Sequence, residues 1–363
     1  MHQTRKLNNL DNSEYIQKLD KSSMMAILLD FPSQLREALD AVGVQRLYPK
    51  DGLSNCVFAG VGGSAIGGEV TRSCLLDEIK IPFIVNRDYF VPGFVNSKTL
   101  LFISSYSGNT EETISAYKDG RKKKAKIVVI TSNGKLEALA KEDGYPIIKI
   151  PAGMPPRCAL AYSFVPAIVV ISKIGLVGDK QRDIKEAANI TSSLRDGLIG
   201  PNVSSKENEA KRIASVLTGR MCTVYGASKN LDCVITRWRN QFNENSKSFA
   251  ASHVLPEMNH NEIVGFSYPK RLLKDMVVVF LRDKGDHARV NKRIEITRSI
   301  INRKVHKIIE VNSRGDGLIA RICGLTYIGD FASFYLAILN GEDPTPVDEI
   351  SYLKKELSKR RSA

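Results

Sequence analysis

The 363-residue chain is short of the groups that hold metals and disulfides. Its six cysteines, at 56, 74, 158, 222, 233 and 323, lie far apart with no CxxC pair, and its five histidines are scattered. That spacing matches neither a zinc signature nor a disulfide framework, so buried free thiols are the ordinary role for most of the cysteines. Long apolar runs are also lacking. The longest one read from the sequence, 164–177, is interrupted by Pro166, Ser172 and Lys173, and fits a buried helix better than a bilayer span. The first residues, to about Leu19, are polar, with no apolar stretch of signal-peptide length. The expectation is a cytoplasmic protein without a membrane partner.

Acidic residues are in deficit, 39 against 53 Lys and Arg, for a net charge of +14. The basic runs Arg121–Lys124 and Lys359–Arg361 fall at an expected helix end and near the end of the chain, with no nucleic-acid motif around them. Cations at a helix C-terminus are stabilised by the helix dipole, so a nucleic-acid partner is not expected. The overall positive field would draw anionic substrates instead.

What the chain does contain is alternation. From Asn55 onwards, β-branched runs alternate with helical periodicity, the pattern of βαβ units and a parallel sheet. Strands are expected at 56–60, 81–86, 99–104, 126–131 and 146–150, with helices starting near Ser64, Thr110 and Gly134. Residues 13–42 read as a helical N-terminal arm. The second half echoes the first: Cys56–Gly60 resembles Cys222–Gly226, the strand at 99–104 resembles Asp275–Leu281, and Lys126–Ile130 resembles Lys304–Ile309. Two doubly wound α/β units follow from this, joined near 195–206, where Gly197, Gly200, Pro201 and Asn202 cluster. The expected domains are 1–42, 43–195, 206–342 and 343–363, the last a helix set off by Asp343-Pro344-Thr345-Pro346.

The ten residues Ser104–Thr113 carry the most chemistry. They follow an apolar strand and precede an amphipathic helix, so the hydroxyls of Ser105, Ser107 and Thr110 crowd a helix N-terminus. Free N–H groups and the positive end of the helix dipole favour an anion there, with Asn109 and Glu112 read as a capping box. The equivalent loop of the second half, Arg282–His287, carries carboxylates that would repel phosphate. Only the first unit is expected to bind an anion.

The glycine run at 60–68 does not complete a dinucleotide fingerprint, because Asn86 and Arg87 stand where an acidic ribose-binding residue belongs. Nor does it complete a nucleophile elbow, because Ile66 takes the last glycine position. Gly63 and Ser64 read instead as a backbone nest plus a hydroxyl. Pro155 and Pro156 lead into an apolar helix with Arg157 at its first turn, a place where the dipole disfavours a cation. That placement suggests a ligand or a carboxylate facing Arg157. Two further segments, Asn240–Lys247 on a helix and His253–Glu262 in an irregular loop, bring carboxylates and imidazoles close in sequence. Such a pair can move protons at neutral pH, though a solvated helix face and loop would read the same way.

Taken together, the glycine run, Ser105–Thr113, Pro156-Arg157, Asn243–Lys247, Pro256–Phe266 and the Asp343–Val347 ending resemble the bifunctional phosphoglucose/phosphomannose isomerase family, built from paired sugar-isomerase (SIS) domains. Val61, Ala65 and Ala161 depart from the residues common there. The resemblance implies flavodoxin-like α/β sandwiches with helical extensions and a homodimer with a shared active site. It also implies interconversion of glucose 6-phosphate and mannose 6-phosphate with fructose 6-phosphate through a cis-enediol, with no cofactor and no metal. By the same resemblance, Gly63, Ser64, Ser105, Ser107 and Thr110 would hold the phosphate. Glu244 would carry the proton between C2 and C1, His260 of a neighbouring subunit would open the ring, and Arg157 would stabilise the enediolate. Lys354, which Lys355 adjoins, would assist at the ring oxygen, and small side chains near 345–347 would govern rotation about C2–C3. Two other readings remain: a non-catalytic phosphosugar-binding regulator and an aminosugar-phosphate isomerase.

Overall fold

In parallel strands, alternate side chains face opposite sides, and here both sides are covered. The computed structural model describes residues 9–43 and 47–359. In the first unit, β1 (Asn55–Ala59), β2 (Phe83–Asn86), β3 (Thr99–Ser105), β4 (Lys126–Thr131) and β5 (Ile147–Lys149) form a parallel sheet in the order β2-β1-β3-β4-β5. Helices α1 (Ser13–Leu19), α2 (Met24–Leu29) and α3 (Phe31–Asp40) form the arm that precedes it. Val57, Leu101, Ile103, Ile127 and Val129 face an outer core under α5 (Glu111–Lys122) and α6 (Gly134–Glu142). Their strand neighbours Cys56, Phe58, Leu100, Phe102 and Val128 face inwards. This is period-2 burial on both faces of a sheet.

The inner side is shared with the second unit. Helices α4 (Gly63–Leu75), α7 (Leu160–Lys173), α8 (Gln181–Leu194), α9 (Glu209–Leu217) and α10 (Asp232–Glu244) contribute to one continuous core with the arm. Beyond it lies a second parallel sheet of β6 (Met221–Ala227), β7 (Ala250–Leu255), β8 (Met276–Arg282) and β9 (Lys307–Asn312), ordered β7-β6-β8-β9. The short helices α11 (Glu262–Gly265) and α12 (Lys270–Lys274) follow β7, and Leu273 of α12 packs with α13 (Ala288–Ile301) over the outer face of this sheet. The chain ends in α14 (Leu318–Asn340) and α15 (Asp348–Lys359).

Several expectations need correction. The longest apolar segment is α14, not 164–177: it is long and apolar enough to cross a bilayer, yet its apolar stretch is wholly buried inside the protein. The expected loop at 253–262 begins as strand, because His253–Leu255 pair with Tyr225–Ala227, and then turns through a 3-10 segment, Glu257–His260. The last strand starts at Lys307 rather than Lys304. All six cysteines are buried and free.

Candidate active site

In a sheet of order 2-1-3-4-5, the chain leaves β1 and β3 in opposite directions, opening a crevice at their carboxyl ends. The glycine run and the serine loop lie there. Helix α5 is capped by Thr110, not Asn109, and the Thr110 side chain makes no capping hydrogen bond. The Asn109 amide is used elsewhere, donating to Ser107 O and accepting from Lys135 N, so it staples the loop to α6. Ser105, 1% exposed, donates to the Thr110 hydroxyl at 3.0 Å, and the Ser107 hydroxyl accepts from Asn109 N. Helix α4 likewise begins without a side-chain cap, at Gly62. Two helix N-termini without an N-cap side-chain bond therefore flank the end of the sheet, an arrangement that favours an anion.

Gly63 joins this crevice to Arg157. A Cβ at Gly63 would stand 2.9 Å from Pro156 O, so only glycine permits this approach. Ser163 Oγ donates to Ser64 O, and Met154 N donates to the Tyr106 hydroxyl, drawing the 151–157 segment against both loops. Arg157 sits in the 3-10 turn Pro156–Cys158 just before α7, not in the helix's first turn. It is 6% exposed. Its Nε donates to Asn245 Oδ1 at 2.6 Å, and its Nη2 donates to Pro344 O and Thr345 O, each at 2.8 Å. Nη1 makes no hydrogen bond among the described residues and stands 3.7 Å from Glu244 Oε2. Glu244 is at the last turn of α10, with its side chain about one-third exposed to the crevice. Beside it, Lys247 has a backbone φ of 51° and donates to Asp343 O at 2.7 Å. Burial, with Arg157 nearby, holds the Lys247 ammonium below its ordinary pKa.

Sequence reasoning took the polar residues of 240–247 as open to either reading. The structure buries Gln241, Asn245 and Ser246 against α14. It does not bring every candidate together, however. Glu244 precedes β7 and His260 follows it, so the two lie at opposite ends of a six-residue strand, roughly 17–20 Å apart along it. His260 is exposed. Lys354 is also exposed, on α15, as is Lys355. Missed in the sequence was the clamp on the segment carrying His260: Glu262 accepts from the Tyr225 hydroxyl at 2.5 Å, and its other oxygen lies 2.8 Å from His253 Nδ1. Tyr225 and His253 are register partners on β6 and β7, a pairing that only the ladder reveals. Thr345 Oγ1, buried beside Arg157, has no hydrogen-bond partner among the described residues. Among those residues, no group of three or more His, Cys, Asp or Glu side chains is placed to hold a metal ion.

Residues 206–357 match the family described as the bacterial phospho-glucose isomerase C-terminal SIS domain. A bifunctional phosphoglucose/phosphomannose isomerase of Caldicellulosiruptor bescii is 42% identical over 336 residues, covering 92% of this chain and 99% of that protein. A D-glucosamine-6-phosphate 4-epimerase of Sulfolobus acidocaldarius is 33% identical over 273 residues, or 74% of this chain and 80% of its own length. Among solved structures, a hypothetical protein from Thermus thermophilus superposes over 100% of this chain and 96% of its own, with a TM-score of 0.76 at 15% identity, a likeness of fold alone. With near-complete coverage at 42% identity, the chain belongs to the bifunctional phosphoglucose/phosphomannose isomerase family.

Proposed function

We propose that the chain is an aldose–ketose isomerase that interconverts glucose 6-phosphate and mannose 6-phosphate with fructose 6-phosphate. One observation carries the mechanism: Arg157 spends Nε and Nη2 on the protein and leaves Nη1 open, facing the Glu244 carboxylate. The substrate phosphate sits against Gly63, Ser64, Ser105, Ser107 and Thr110, between the two helix N-termini. It is remote from the reacting carbons, so its binding energy goes into holding C1 and C2 against Glu244. In the aldose-to-ketose direction Glu244 removes the proton from C2. The C–H electron pair forms the C1–C2 double bond, and O1 becomes an oxyanion that Nη1 of Arg157 stabilises. Glu244 then returns the proton to C1, where the C1–C2 π pair forms the new C–H bond, while the O2 proton passes to O1, leaving O1 a hydroxyl and O2 the ketose carbonyl.

His260 opens the sugar ring from a second subunit, which resolves its distance from Glu244 within one chain, and Lys354 assists at the ring oxygen. Small side chains near 345–347 govern how the substrate turns about C2–C3 between the two aldose epimers. The reaction as written routes no step through a metal or cofactor, and the partners are hexose 6-phosphates and a second copy of the chain, without nucleic acid or membrane.

The test is a coupled assay of chelator-treated protein on both aldose phosphates. Glu244→Gln should cut kcat by about 10²–10⁴ while KM changes little, the usual share of general acid–base catalysis. Full activity in that variant would remove Glu244 from the role. A regulator that binds without turnover would give no rate in the same assay. Glucosamine 6-phosphate is the third substrate to include, because a relative named for that compound matches most of the chain. Turnover of it alone would replace the hexose reading.

A further inference from the structure

Arg157 is held from behind by a closed ring of buried hydrogen bonds that returns to α14. On one side, Arg237 Nη2 donates to Arg157 O at 2.9 Å. Arg237 in turn forms a two-bond pair with Asp330, Nε to Oδ1 at 3.0 Å and Nη2 to Oδ2 at 2.8 Å, and Gln241 Nε2 adds a third donor to Asp330 at 3.0 Å. On the other side, Ser333 Oγ donates to Asp330 O at 2.7 Å and accepts from Asn245 Nδ2 at 2.9 Å. Asn245 Oδ1 then accepts from Arg157 Nε. Asp330, Ser333, Asn245 and Arg237 are each 3% exposed or less.

The donors and acceptors of this ring can run in one direction only. A backbone carbonyl has no proton to give, so Asp330 O must take the one proton of Ser333. The Ser333 oxygen can then only accept, which makes the Asn245 amide present its NH2 to Ser333 and its oxygen to Arg157. With Nε so engaged and Nη2 held by Pro344 O and Thr345 O, rotation of the guanidinium is blocked and the open Nη1 is aimed past Glu244. We propose that Ser333, acting through Asn245, is a positioning residue for the isomerisation. Together with the Arg237–Asp330 pair that fixes the Arg157 backbone, it sets the direction in which the free Arg157 donors point.

This inference rests on Arg157 and Glu244 acting as assigned above, and the test separates the two. Ser333→Ala takes away the acceptor that fixes the Asn245 NH2, so the amide loosens against Arg157, and it removes no group near the phosphate crevice. Its kcat for fructose 6-phosphate should fall about tenfold or more, as expected when a catalytic group is loosely held, with KM within about threefold. Affinity for a hydroxamate mimic of the enediolate should fall in parallel with kcat/KM, while competitive inhibition by inorganic phosphate stays unchanged. A purely structural role would not separate those two ligands. Asn245→Leu cuts the ring one link nearer Arg157 and should show the same split, so one variant answers should the other fail to fold. Unchanged kcat and hydroxamate affinity in a folded Ser333→Ala or Asn245→Leu protein would overturn the proposal. Full activity in Glu244→Gln would overturn the mechanism beneath it and leave the ring structural.

Discussion

Arginine at 157 cannot be exchanged for lysine without losing the geometry, because one ammonium cannot serve Asn245, Pro344, Thr345 and a developing oxyanion at once. Arg157→Lys should therefore lower kcat by about 10²-fold or more despite keeping the charge, in steady-state assays on fructose 6-phosphate. Ser105→Ala should act differently. It removes a hydroxyl from the proposed phosphate crevice, so KM should rise about tenfold or more with kcat nearly constant, the value of a hydrogen bond to a charged group. Arg157 was visible in the sequence as a cation placed against a helix dipole, and the Ser105–Thr110 hydroxyls as a cluster between strand and helix. Asn245 was legible only as a polar neighbour of Glu244. Its partner Ser333 lies 88 residues away, a contact made by packing α10 on α14 and encoded in no local pattern.

The strands of the first unit could be read within two residues of their observed ends, because the apolar runs are bounded by glycine, proline and charge. The helix pair α10 and α14 was harder: its tightness depends on Gly329, where a Cβ would run into the Trp238 indole. Gly329→Ala should force these helices apart and destabilise the protein by about 1–3 kcal/mol, seen as a lowered urea midpoint. The loop after β8 was read as carboxylates that repel phosphate, and the structure adds that two of them lie close together, Asp283 buried and Asp286 partly buried. Burial, with Asp283 beside it, pushes the Asp286 carboxyl up to about 6. Its Oδ2 accepts from Asp283 N, but Oδ1 is buried without a hydrogen-bond partner among the described residues. The folded protein thus keeps a proton that the unfolded chain has released between about pH 4 and pH 6. This contribution to stability is fully present below the unfolded value of 3.8 and is lost as pH rises through the folded one. Asp286→Asn should match the parent at pH 4 and exceed it by about 1–2 kcal/mol at pH 7.5, allowing for partial solvent screening, in paired denaturant titrations.

At the scale of the whole molecule, the opposite placement of Glu244 and His260 makes a prediction that one chain alone could not satisfy. If the active site is shared in the proposed two-fold dimer, Glu244→Gln and His260→Ala proteins, each nearly inactive, should regain about a quarter of parental activity when unfolded and refolded together, because half of such dimers would carry one intact site. No recovery would mean that the two groups act within one subunit or not at all. The two-unit architecture was legible as a repeat along the sequence, but its shared interior was not. Period-2 patterns say which residues are buried, not which sheet lies across from them. That interior also reaches the N-terminal arm. Tyr327 donates to Leu28 O, Tyr335 donates to Ile199 O, and Lys211, fully enclosed, bonds Asp11 and the carbonyls of Pro201 and Val203. Enzymes that clasp their substrates often do so by swinging two lobes about a flexible joint, and this chain has given up that freedom by running α14 through the middle. The short proline-bearing strap that leads on to α15 is tied into the same frame, because Arg157 holds it through the carbonyls of Pro344 and Thr345.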